Sequence, residues 1–133
     1  SWEKGMECWG NMPHERDRLF KLIETTEAKG AFFISGDVHF TELSMAKDEG
    51  PYPLYDLTSS GLNQSPGRTW YTSVNSYRLP GKVYPGRNFG LIQIDWAGKD
   101  TTITLQGRKE SGEVVHEEII PLSRLRMAGQ SGQ

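Results

Sequence analysis

The chain of 133 residues is about one domain's worth of polypeptide, and its 35 % hydrophobic share supports a modest core or one completed by a further segment. Fifteen basic against 17 acidic residues, a net charge of −2, lack the basic excess of a nucleic-acid-binding face. The lone Cys8 excludes an internal disulfide, no apolar run approaches the roughly 18 residues of a membrane span, and the first residues show no signal-peptide pattern.

Residues 1–12 read as irregular, with Trp2, Gly5, Trp9 and Gly10 interleaved. Pro13 then suits a first helical position, with Asn11 upstream as a candidate cap. From His14 to Lys29 the pattern is helical: Leu19, Phe20, Leu22 and Ile23 gather on one side, and Glu15, Arg16, Asp17 and Lys21 fall largely on the other. Gly30 fits the position just past the helix end. Ala31–Ser35 reads as a buried strand that stops at Gly36. Phe40–Gly50 is expected to be polar or weakly helical, punctuated by Pro51-Tyr52-Pro53, and Leu54–Ser59 is expected as a strand ending at Ser60-Gly61. Residues 63–88 read as one long loop rich in Gly, Pro, Ser, Asn and Tyr, a length that usually means function or partial disorder.

The last third reads as all-β. Phe89–Trp96, Thr101–Arg108 and Val114–Leu122 are expected strands, joined by hairpin turns at 97–100 and 109–113. The fold class is therefore α/β, one main helix followed by a strand-rich half, with a flexible tail over 127–133.

The residues with the clearest chemistry are Asp37 and His39, on the loop that follows the Ala31–Ser35 strand. Carboxyl ends of strands are where α/β sheets keep their sites. A carboxylate oxygen and an imidazole nitrogen suit a divalent or ferric ion that holds phosphate and activates water. The same residues also fit an ordinary strand-end turn with a capping Asp and a surface His. Glu42 reads either as a partner that orients His39 or as an exposed carboxylate at a helix start. Arg68, Arg78 and Arg87 read as loop solubility or as phosphate contacts. His14 and His116 read as surface residues, and Trp9 as a buried aromatic or as the wall of a pocket. Ser59 and Ser60 lack the Gly-x-Ser-x-Gly elbow of a nucleophile.

Taken together, separated pieces of the chain resemble, in order, the C-terminal part of PhoD-like (alkaline phosphatase D) metallophosphatases. Trp9, Pro13 and Arg16 resemble that family's entry to a helix, although Glu7-Cys8-Trp9 departs from its usual Asp-x-Trp opening. The segment from Ser35 to Leu43 resembles its Ser-Gly-Asp-Val-His-x-x-Glu metal loop, and Thr58-Ser59-Ser60-Gly61-Leu62 its Thr-Ser-Ser-Gly-Leu turn. Asn75, Arg78 and Asn88-Phe89-Gly90 resemble its closing segments.

The resemblance implies the C-terminal portion of a metallophosphatase-type α/β sandwich over 1–126, and hydrolysis of phosphate esters at a dinuclear metal site. It implies that Asp37 and His39 are metal ligands, Asp37 on a calcium and His39 on an iron side, with other divalent metals as alternatives. It also implies a secreted or periplasmic setting. The family's other ligands, a bridging Asp and an Asn-His pair, lie upstream of the metal loop. Residues 1–35 contain neither, and Cys8 is too close to the loop to match the family's cysteine ligand. The expected partners are thus a phosphate ester and the upstream part of the same catalytic domain, and the chain alone is expected to be inactive. A non-catalytic truncated interaction module, or a subunit completed by another chain, is the alternative.

Overall fold

A computed structural model describes residues 7–67 and 71–127. Helix α1 spans Pro13–Thr25. Pro13 supplies its first turn with a pre-set φ, and Met12, not Asn11, stands at the N-cap without a side-chain bond. The helix stops four residues before Lys29. Thr25 and Thr26 turn their hydroxyls back to the Leu22 carbonyl, at 3.3 and 2.7 Å, and Glu27 takes a φ of 53°. Of the apolar cluster, Ile23 is buried and Leu19 and Phe20 pack against the core, while Leu22 faces solvent.

Among the described residues seven strands follow: β1 Phe33–Ser35, β2 Thr41–Ala46, β3 Leu54–Ser59, β4 Arg78–Tyr84, β5 Asn88–Asp95, β6 Thr102–Lys109 and β7 Val114–Pro121. They form two sheets, a four-stranded one in the order β1-β3-β2-β4 and a three-stranded meander β5-β6-β7. Of these seven strands β1 and β3 run parallel, and their other pairings are antiparallel. The α/β reading holds in this coarse form.

Three expectations change here. The Ala31–Ser35 strand shortens to three residues at a sheet edge, with Phe33 half-buried and Ile34 and Ser35 exposed. Phe40–Gly50 contains strand β2, because Leu43 and Met45 alternate with Glu42 and Ser44 across the two faces of a sheet. The long loop of 63–88 contains strand β4, paired with β2 through a bulge between Glu42 and Ser44.

The core lies between the sheets. Leu43, Tyr55 and Leu57 face Ile103, Leu105 and Ile120, all nearly solvent-free. Gly90 lets the sheets approach, since a β-carbon there would sit 3.2 Å from both Leu57 Cδ2 and Ser59 Cβ. Tyr52 ties the helix exit to the first sheet. Its hydroxyl donates to the Ala28 carbonyl at 2.8 Å and accepts from the Ala31 amide at 3.0 Å. After β7 a short 3-10 turn, Leu122–Leu125, closes the core beneath Gly30, whose amide donates to the Leu125 carbonyl. Gly30 serves this docking, at φ 73°, rather than ending α1. Met127, expected at the start of the tail, packs against the core; residues 128–133 of that tail lie outside the described residues.

Candidate functional site

Because β1 and β3 are parallel, their carboxyl ends lie side by side, and the loops after them meet. Gly36 to Phe40 leaves β1 and Ser60-Gly61 leaves β3. Gly36 is needed at the crossing, where a β-carbon would come within 3.2 Å of Ser60 Cβ. The two ligand candidates sit on this crossing, Asp37 exposed and His39 half-buried.

Both have left-handed backbones, with φ of 69° at Asp37 and 61° at His39. That conformation costs an L residue about 1–2 kcal/mol, although Asp and His are among the side chains that adopt it more often. Local bonds offset the cost. The Val38 amide donates to the Gly36 carbonyl at 2.9 Å, and the His39 amide donates to Ser60 Oγ at 3.0 Å.

Asn88, at the start of β5, completes the arrangement and is 1 % exposed. Its Oδ1 accepts from Ser59 Oγ at 2.9 Å and from the Gly61 amide at 3.3 Å. Its Nδ2 donates to the Gly86 carbonyl at 2.8 Å and, more weakly, to the His39 carbonyl at 3.5 Å. Its backbone amide donates to the Gly61 carbonyl at 3.0 Å. Gly61 is the tightest point of this contact, since a β-carbon there would fall 2.1 Å from Asn88 Nδ2 and 2.5 Å from the His39 carbonyl oxygen.

A cavity of about 460 Å³ opens beside this loop, between α1 and the outer face of the first sheet. Gly36 and Val38 line one end, with Leu19, Phe20 and Phe33 along its apolar wall. The sheet contributes a polar row, where Ser35 Oγ lies 3.0 Å from Asp56 Oδ2 and 2.8 Å from Thr58 Oγ1. Trp9 borders the cavity while 51 % exposed, so the buried-aromatic reading fails for it.

Glu42 is neither a helix-start carboxylate nor exposed. It is fully buried on β2, with Arg78 Nε 2.6 Å from Oε2 and Asn75 Nδ2 3.1 Å from Oε1. Arg78 is thereby engaged in an internal ion pair. Arg87 is exposed and pairs with Glu110, His14 is exposed as expected, and Arg68 lies outside the described residues.

His116 overturns the surface reading. It is 5 % exposed, and its Nε2 lies 3.1 Å from Thr41 Oγ1, joining the two sheets. Gly107 makes the room, since a β-carbon there would lie 2.3 Å from His116 Cε1. Burial pushes its imidazole below the usual histidine range; Lys82 adds to the effect and Glu42 opposes it.

Asp37 and His39 offer one hard oxygen donor and one imidazole, a set that suits a calcium or transition-metal ion. Among the described residues no group of three or more His, Cys, Asp or Glu side chains is placed to hold an ion. Sequence reasoning missed Asn88 as a site residue and Ser60 as a holder of the loop; the nearest signal was their place in the motif pieces quoted above. No helix among the described residues is long and apolar enough to cross a membrane. No protein-family model, curated protein or solved structure matches the chain.

Proposed function

We propose that this chain supplies the C-terminal metal loop of a PhoD-like phosphoric ester hydrolase. The observation that supports the reading best is the convergence of three separated motif pieces. Ser35–His39, Ser59–Gly61 and Asn88 meet at one loop cluster, bonded to one another through His39, Ser59, Ser60 and Gly61.

In this reading Asp37 holds the calcium side and His39 the iron side of a metal pair. When bound, such a pair supplies Lewis-acid stabilisation of phosphoryl oxygens and an activated water. The chain's own residues place the two donors. The backbone of His39 is held by Ser60 and Asn88, which leaves that donor little reorganisation on binding. The cavity that Gly36 and Val38 line, which Asp37 and His39 themselves do not line, has an apolar wall that suits the organic part of an ester.

The remaining donors come from the upstream part of the same catalytic domain. The β1 edge supports such a neighbour. Ile34 is 68 % exposed, and residues 30–36 carry no charge to protect the open edge. The same edge also suits the second reading, a non-catalytic subunit completed by another chain.

The test is hydrolysis of p-nitrophenyl phosphate and bis(p-nitrophenyl) phosphate by the complete protein, with calcium and iron supplied. Asp37→Asn and His39→Ala are each expected to lower kcat/KM by at least about 100-fold, the upper end for disturbing even the shell around a metal ligand. Unchanged hydrolysis in both variants contradicts the proposal. A complete protein with no hydrolysis under any metal favours the second reading.

A further inference from the structure

We infer that Ser60 is a positioning residue for His39, and that Asn88, wedged against Gly61, is its second anchor. As a statement about donor placement this rests on reading Asp37 and His39 as metal ligands; as a statement about backbone conformation it stands by itself. His39 is held from both sides of its peptide frame. Its amide donates to Ser60 Oγ at 3.0 Å, and its carbonyl accepts the longer bond from Asn88 Nδ2 at 3.5 Å.

Neither anchor belongs to the loop it holds. Ser60 follows β3 and Asn88 begins β5, so the left-handed turn at His39 is set by the first sheet's parallel neighbour and by the second sheet together. A strained backbone persists where its surroundings over-determine it, and such strain gathers at functional sites. The absence of a nucleophile elbow around Ser60 is consistent with this role. The hydroxyl's oxygen is spent on a backbone amide.

Gly61 gives the inference a second, purely steric handle. A methyl group there collides with both the Asn88 amide and the His39 carbonyl oxygen, without removing either hydrogen-bonding group. Gly61→Ala therefore forces the second anchor off His39 by a route unrelated to Ser60→Ala.

The experiment is NMR on the full chain, comparing wild type, Ser60→Ala, Ser60→Thr and Gly61→Ala. The first readout is the intraresidue HN–Hα NOE of His39, which is strong only at positive φ. The second is broadening of the His39 ring signals by added Mn²⁺, the probe metal. Wild type is expected to show a strong NOE and specific broadening. Ser60→Ala and Gly61→Ala are expected to weaken the NOE and to raise the Mn²⁺ midpoint at least threefold. Ser60→Thr, which keeps the oxygen, is expected to restore both towards wild type. Amide shifts of Ile103, Leu105 and Ile120 should stay fixed, which separates a local release from general unfolding. A wild-type NOE and a midpoint within twofold in both alanine variants overturn the inference. If Mn²⁺ leaves His39 sharp even in wild type, this chain's two donors do not hold the ion without the missing ones, and the NOE comparison alone decides the positioning role.

Discussion

Replacing Arg78 by Met tests whether the segment over the outer face of the first sheet is held by a buried ion pair. Glu42 has no solvent exposure and Arg78 has 17 % in its side chain, with 2.6 Å between Nε and Oε2. Removing one partner of a buried pair costs about 3–5 kcal/mol, because the other charge stays buried. Two features reduce that here. Asn75 still donates to Oε1 at 3.1 Å, and the partial exposure of Arg78 gives water a route in. Methionine also keeps much of the aliphatic stem packed. The expected loss is about 2–4 kcal/mol, or a fall in Tm of roughly 10 °C for a chain of this length. Urea denaturation followed by far-UV circular dichroism measures it. Adding Glu42→Gln to Arg78→Met should recover at least half of the loss, because the stranded carboxylate is gone. A loss below about 1 kcal/mol for Arg78→Met, the range of surface pairs, refutes the argument that this pair is desolvated.

Three further predictions follow from the same packing. His116 binds its proton less readily folded than unfolded, so its contribution to stability is full above the unfolded value of about 6.5 and is lost as pH falls from there towards the lower folded value. Thermal unfolding between pH 8 and 5 should show that loss, and His116→Gln should flatten it; an unchanged slope contradicts the assignment. Leu105→Ala, at a fully buried position between the sheets, should cost about 2–5 kcal/mol by chemical denaturation. Ile34→Lys, at an exposed edge position, should cost within about 0.5 kcal/mol in the same assay while lowering self-association in sedimentation velocity.

Local signals in the sequence were strong where one period dominated. Leu54–Ser59 is a strand with the expected bounds, and the three C-terminal strands differ from expectation by a residue or so at their ends. Pro13 marked the start of α1. The misses share a cause, which is that the deciding partner lies far along the chain. Phe40–Gly50 has a mixed composition, and its strand character comes from pairing with β3 and β4. Glu42 looks like a surface carboxylate until Arg78, 36 positions later, neutralises it. His116 is followed by two glutamates in a polar-looking run, and only Gly107 on the neighbouring strand and Thr41 in the other sheet make a pocket for it. Asp37 and His39 stand out in the sequence because both fall within one loop. The Ser60 and Asn88 contacts that hold His39 are tertiary, and no spacing along the chain announces them.

On the function proposed above, Asp37 and His39 share a metal site with residues from outside this chain's described fold. Anomalous diffraction from crystals of the complete protein, grown with calcium and iron, measures this directly. Anomalous peaks are expected about 2.0–2.6 Å from an Asp37 carboxylate oxygen and a His39 ring nitrogen. Peaks bound elsewhere in fully loaded protein, with the two side chains pointing apart, contradict it.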